Sequence, residues 1–175
     1  MIATHQVYIA LGSNRGQPIR QLSLALNRIK QHPQFSVQDC SNFYLSRPLG
    51  RSTQYYVNAA IAATTPLSPI NSLDALQQLE FELGRNRAHS SQWGPRCIDL
   101  DMIKYDEIVV DSSRLRLPHR EASKRNFVLW PLRDIAPEIT LIDNQPLSAL
   151  IASVSKDGLV RVPTALINLI TSLPS

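Results

Sequence analysis

What this chain is short of narrows it first. Only two cysteines, Cys40 and Cys97, occur in 175 residues. They are far apart in strand-like contexts, so neither a disulfide framework nor a cysteine-ligated metal cluster organises the fold. Two reduced, buried thiols are the expectation. No apolar run approaches the ~20 residues needed to cross a bilayer. The first residues, Met1-Ile2-Ala3-Thr4-His5-Gln6, carry no basic segment leading into a long apolar one. No signal peptide is read there, and the cytoplasm is the expected compartment. The six glycines build no Gly-rich phosphate loop of the Walker type, and there is no internal repeat or low-complexity segment.

What is present is a composition of 43% hydrophobic and 18% charged residues, that of a soluble globular protein long enough to bury one proper core. One domain over residues 1–175 is expected, with its core at about 7–138 and a C-terminal extension at 156–175. The net charge of +4 is unevenly spread. Half of the 18 basic side chains lie between Arg85 and Arg125, and most are arginine, whose planar fork suits phosphate. A compact anion or a nucleic acid fits such a segment. Asp99, Asp101, Asp106, Glu107 and Asp111 interrupt it and would repel a phosphate backbone lacking metal. The paired aromatics of an RNA-recognition sheet are missing as well. The small anion is therefore preferred, with no nucleic acid and no membrane as partner.

Periodicity supplies the elements. Residues 7–11 form a short apolar run ending at Gly12-Ser13-Asn14, a buried strand and a turn. Pro18 opens a helix over 18–31, with Ile19, Leu22, Leu26 and Ile29 on one face. Residues 35–46 and 56–65 read as strands, and Asn58 is an odd polar residue inside the second. If buried, its amide must find partners, in the backbone or at the edge of a polar heterocycle. Ser68-Pro69 starts a second helix that Gly84 ends, with Ile70, Leu73, Leu76, Leu79 and Leu83 as its buried stripe. Later segments read as short strands at 108–110, 115–119 and 139–142, a helix at 127–132 and a last apolar piece at 165–170. The order strand, helix, strand, strand, helix, strand is that of an α+β, ferredoxin-like βαββαβ core, an antiparallel sheet with helices on its faces.

Ile98 to Ile103 alternates strictly. Ile98, Leu100 and Met102 point to one face of a strand, Asp99 and Asp101 to the other. Two carboxylates so placed are ~6.5–7 Å apart and repel by about 2.4 kcal/mol at an effective dielectric of 20. A cation carrying a polyphosphate turns that repulsion into a binding site, since Mg²⁺ is commonly held by one or two carboxylates plus substrate phosphates. Taken alone, such a pair is more often a solvated strand face, or Asp99 simply answers Arg96.

The run Trp93-Gly94-Pro95-Arg96-x-x-Asp99-Leu100-Asp101 resembles the signature of the 6-hydroxymethyl-7,8-dihydropterin pyrophosphokinase family. The resemblance extends over residues 7–138. It includes Tyr8-Ile9-Ala10-Leu11-Gly12-Ser13-Asn14, Pro48-Leu49-Gly50, Tyr56-Val57-Asn58-Ala59-Ala60, Gly84-Arg85-x-Arg87, Leu117-Pro118-His119 and Leu129-Trp130-Pro131-Leu132. It implies transfer of pyrophosphate from ATP to the pterin hydroxymethyl group, releasing AMP, by a monomer in folate biosynthesis. Asp99 and Asp101 would hold two Mg²⁺ ions and, with Arg85 and Arg96, carry catalysis. Tyr56 and Phe127 would sandwich the pterin, Asn58 would bond its edge, and Ser46, Arg47 and Leu49 would help. ATP would fall to Gln77, Glu80, Arg87, Trp93, Met102, Arg114, His119 and Arg125. The chain departs from the family pattern at Gln92, Arg116 and Arg120, and has Ser46-Arg47 where Thr-Pro is common. A divergent relative with an altered pterin substrate or reduced activity is the alternative.

Overall fold

The computed structural model of the chain describes residues 3–48, 54–85 and 97–173. The elements follow in order as β1 (His5–Ser13), α1 (Pro18–Gln31), β2 (Ser36–Cys40), β3 (Tyr44–Ser46), β4 (Tyr56–Thr65), α2 (Pro69–Glu82), β5 (Asp99–Tyr105), β6 (Val110–Asp111) and β7 (Arg116–Leu117). They continue with α3 (Asn126–Ile135), α4 (Leu147–Ser153), β8 (Leu159–Arg161) and α5 (Thr164–Ser172). The main sheet runs β5-β1-β4-β3-β8, with β2 also on β4, and every pairing is antiparallel. The α+β, ferredoxin-like plan expected from the element order is what forms, extended by one strand at the β3 edge.

Strand alternation sorts side chains into two cores. Val7, Ile9 and Leu11 of β1, Val57, Ala59, Ile61 and Ala63 of β4, and Leu100 and Met102 of β5 face α1 and α2. Leu22, Ala25 and Ile29 of α1 and Leu76 and Leu79 of α2 pack down on them. The opposite face carries Tyr8, Ala10, Ala60 and Ile103 under α3 and α4. A register shift between Tyr8 and Ile9 makes Ile103 an inserted residue opposite β1. A bulge of this kind re-aims a side chain, and Ile103 joins the second face.

Both long helices begin as their sequences require. Pro18 and Pro69 occupy the first helical turn, and the Ser68 hydroxyl accepts the Asn71 N–H. Three segments depart from expectation. The strand expected over 35–46 is two strands, because at Ser41 the backbone N–H donates to Ala60 O while the hydroxyl accepts the Ala60 N–H. The side chain has taken over one rung of the ladder. Residues 139–142 make only an isolated bridge, Thr140 with Pro146, and a 3-10 turn at Ile142–Asn144. The fold also continues past residue 138, since Ile139, Leu141, Leu147, Leu150 and Leu159 complete the second core.

Cys40 and Cys97 are both free, and each is half-buried rather than buried as the sequence led one to expect; Cys40 ends β2, a strand with no fully buried residue. Burial pushes the Cys40 thiol up to about 11, with Lys30 opposing and Asp39 adding to the shift. The folded state therefore holds this proton more tightly than the unfolded chain. Its contribution to stability is present below pH 9.0 and is lost as the pH rises through the folded value. At pH 8, iodoacetamide is expected to label Cys40 slowly in the native protein and rapidly in urea. Equal rates would contradict the burial.

Candidate active site

One cleft opens on the second face of the sheet at the end of β1. It is lined by Ala10, Leu11 and Gly12 of β1, Ser46 and Arg47 at the end of β3, and Tyr56 and Asn58 of β4. Asp99, Asp101 and Ile103 of β5 complete the floor, and His119, Arg125, Phe127 and Val128 close it from above. Alternation explains the grouping. Tyr56, Asn58 and Ala60 share a face, Gly12 pairs with Asn58 and Asp99, and Ala10 pairs with Asp101. Two acids, a polar amide and two aromatics thus reach one space from the two strands that flank β1 and from one helix N-terminus.

The floor is held by internal hydrogen bonds. Asn58, 4% exposed, donates from Nδ2 to Tyr44 O at 3.3 Å and to Ser46 Oγ at 3.0 Å. Those bonds orient the amide, so its carbonyl oxygen is the end that lies over Gly12, where a Cβ would sit 3.5 Å from Oδ1. A glycine there keeps an acceptor uncovered in a cleft, which suits the N–H edge of a flat heterocycle. Phe127 and Tyr56 are half-buried, and the Arg125 guanidinium lies 5.9 Å from the Phe127 ring centre.

The acids are set differently from one another. Asp101 is exposed to the cleft. Asp99 is 14% exposed and pairs with Arg85 Nη1 at 2.6 Å. Arg85 reaches it because of how α2 ends. Gly84, at φ +90°, takes the left-handed conformation, and Arg85 N donates back to Glu80 O at 2.9 Å while Gly84 N donates to Phe81 O at 3.0 Å. The chain turns over the helix end, and the same Arg85 Nη1 also meets Glu80 Oε1. Glu80 is 1% exposed and accepts the Leu100 N–H at 2.7 Å. Arg85 is thus clamped between two carboxylates, one under the strand and one on it. Asp99 answers Arg85; Arg96, the partner read from sequence, lies outside the described residues.

Among the described residues no group of three or more His, Cys, Asp and Glu could hold a metal. The protein offers two hard oxygen ligands on one face, and the rest of a coordination sphere must come from substrate and water. That is the Mg²⁺–polyphosphate pattern, so the donor set fits. His119 faces the same cleft. Its backbone N–H donates to Ile103 O at 2.8 Å, but its Nδ1 is buried without a hydrogen-bond partner among the described residues. A purely structural histidine would have that atom satisfied.

Other site residues read from sequence are not among those that line the cleft. Gln77 is half-buried on α2. Arg114 is exposed and pairs with Asp74, one turn before Gln77 on the same helix. Asp74, Gln77 and Glu80 form one i, i+3 row. Glu80 lies behind the cleft, beneath β5. Met102 is 3% exposed in the core beneath α1 and α2, on the opposite face from Asp101, and is not among the residues that line this cleft. Leu49, Arg87, Gln92, Trp93 and Arg96 lie outside the described residues. Of the departures, Arg116 pairs with Asp111 at 2.9 Å, and Arg120 is exposed. Sequence reasoning missed Ala10, Ile103 and Val128 as lining residues, because apolar residues on a strand or helix carry no signal distinguishing a cleft wall from a core.

Comparison with known proteins identifies the family. Residues 8–137 match the family model described as 7,8-dihydro-6-hydroxymethylpterin-pyrophosphokinase. A 2-amino-4-hydroxy-6-hydroxymethyldihydropteridine pyrophosphokinase of Pseudomonas aeruginosa is 41% identical over 161 residues, 91% of this chain and 98% of the relative. The Haemophilus influenzae protein of the same name is 38% identical over 156 residues, 89% of this chain and 96% of its own. Among solved structures, Plasmodium falciparum HPPK-DHPS with pteroate superposes with a TM-score of 0.69 at 11% identity, over 86% of this chain and 42% of that one. At that identity it speaks for the fold.

Proposed function

The chain belongs to the 7,8-dihydro-6-hydroxymethylpterin-pyrophosphokinase family and transfers pyrophosphate from ATP to a hydroxymethyldihydropterin in folate synthesis, and on that premise we propose how its residues divide the work. Tyr56 and Phe127 hold the flat pterin between their rings. Asn58 Oδ1 accepts from the heterocycle's N–H edge over Gly12, and Ser46, Arg47 and Leu49 bound that end. Gln77, Arg87, Trp93, Arg114, His119 and Arg125 receive ATP. His119 lines the cleft with Arg125. Asp99 and Asp101 hold two Mg²⁺ ions. Bound there, Mg²⁺ neutralises polyphosphate charge and aligns attacking and leaving oxygens.

The observation that carries this division is that the carboxylates and the aromatic pair line one cleft. A pterin stacked at Phe127 with its hydroxymethyl group toward the acids would present it for transfer. The protein's own contribution is positional and electrostatic, as phosphoryl-type transfer demands. The rings fix the acceptor, and Arg85 and Arg96 offset developing negative charge. We take the active unit to be a monomer in the cytoplasm. Two unpaired cysteines suit a reducing compartment. Among the described residues no helix is long and apolar enough to cross a membrane.

The test is AMP formation from MgATP with and without 6-hydroxymethyl-7,8-dihydropterin. AMP is expected only with the pterin. Phe127→Ala should raise the pterin KM by about tenfold or more, since base–aromatic stacking is worth about 1–3 kcal/mol. The ATP KM should change little. A Phe127→Ala enzyme with an unaltered pterin KM would remove the sandwich from the reading.

A further inference from the structure

Resting on the pyrophosphokinase reading, we propose that residues 155–161 brace the pterin end of the cleft and that Gly158 is the positioning residue that seats the Arg47 side chain. This segment lies beyond the span matched by the family model, which ends at residue 137. β8 pairs with β3, so that Leu159 stands opposite Ser46 and Arg161 opposite Tyr44. Leu159, 5% exposed, anchors the strand in the second core. Just before it, Gly158 O accepts the Arg47 N–H at 3.1 Å.

The side chain of Arg47 lies across the same glycine. A Cβ built on Gly158 would sit 2.7 Å from Arg47 Cδ, 2.8 Å from Cγ and 3.0 Å from Nε. Any other residue must push the arginine away. Gly158 also sits at φ +73°, a left-handed conformation that favours glycine. Arg47 is exposed and has no ion-pair partner among the described residues, so this packing is what holds it in the cleft wall. The other end of the segment grips the opposite wall. Asn126 Nδ2 donates to Ser155 O at 2.9 Å and to Asp157 O at 3.4 Å, and Asn126 directly precedes Phe127. One stretch of chain therefore fixes Arg47 on one side of the pterin and the root of Phe127 on the other. A planar guanidinium suits the face or carbonyl edge of a flat heterocycle.

The full-length enzyme tests this by steady-state kinetics. Gly158→Ala is expected to raise the pterin KM about fivefold with the ATP KM unchanged, the effect of losing one well-placed polar contact. Arg47→Ala should give the same rise, and adding Gly158→Ala to it should raise the pterin KM no further, because both act through one side chain. A wild-type pterin KM in Gly158→Ala, or fully additive losses in the double variant, would overturn the brace. Should Gly158→Ala not fold, Arg47→Ala decides alone, and an unchanged pterin KM there overturns the inference too. A wild-type enzyme that makes no pterin-dependent AMP overturns the pyrophosphokinase reading and the brace together, an outcome visible before any variant is made.

Discussion

Asp101→Asn is expected to lower pyrophosphate transfer by about 10³-fold or more while leaving the fold at least as stable as wild type. Asp99→Asn should lose activity to a similar degree but also lose stability. The difference follows from their surroundings. Asp101 is exposed in the cleft and feels Asp99 as a like charge about 6.5–7 Å away, so its charge serves the ligand and opposes the apo fold. Asp99 is 14% exposed and answers Arg85 at 2.6 Å. Removing its charge leaves Arg85 with Glu80 alone, and breaking a largely buried pair costs about 3–5 kcal/mol when nothing relaxes. Thermal melts of both variants, with and without MgATP, separate the terms. Wild type should melt higher with MgATP, by linkage, and Asp101→Asn should lose much of that rise. Chelation of Mg²⁺ should reproduce the activity loss in wild type. An Asp101→Asn enzyme keeping a tenth of its activity, or an Asp99→Asn variant melting like wild type, would remove the asymmetry argued here.

Much of this site is legible in the sequence because alternation is local. Tyr56 and Asn58 fall on one strand face by counting, as do Asp99 and Asp101, and the helices at 18–31 and 69–82 announce themselves by proline, a serine cap and an apolar stripe. Less legible is anything that depends on a turn's exact path. The identity of Asp99's partner is one case. Arg85 reaches Asp99 because Gly84 folds the chain back over the end of α2, a geometry that residue spacing alone does not specify. The C-terminal strand was invisible for a different reason. Leu159–Arg161 has three residues with one buried, too short for a period, and its pairing with β3 is a contact across more than a hundred positions. The matched family span ends before it, so resemblance offered no help either.

Glu80→Ala is expected to destabilise the protein by about 3–5 kcal/mol, lowering the melting temperature by on the order of 10 °C for a domain of this size, and to reduce kcat by about 10²-fold with little change in the ATP KM. Glu80 was read from sequence as a nucleotide-side residue; its burial argues for a different duty. With 1% of its surface exposed, it has little access to a ligand. Its Oε1 instead accepts the Leu100 N–H at 2.7 Å, between the two catalytic acids in sequence, and meets Arg85. Truncation would leave a buried N–H unsatisfied, about 1–3 kcal/mol, and Arg85 balanced by Asp99 only. Both errors fall on the strand that carries the carboxylates, so the reaction suffers through misplacement. Glu80→Gln separates the two contributions. The amide oxygen can still accept from Leu100 N–H, so stability should recover in part, whereas Arg85 would now lean wholly on Asp99 and compete for the charge the substrate's cations need. Stability returning further than kcat in Glu80→Gln is the expected pattern. If Glu80→Ala instead raised the ATP KM tenfold at an unchanged melting temperature, Glu80 would be a nucleotide contact after all, reached by a cleft rearrangement that uncovers it.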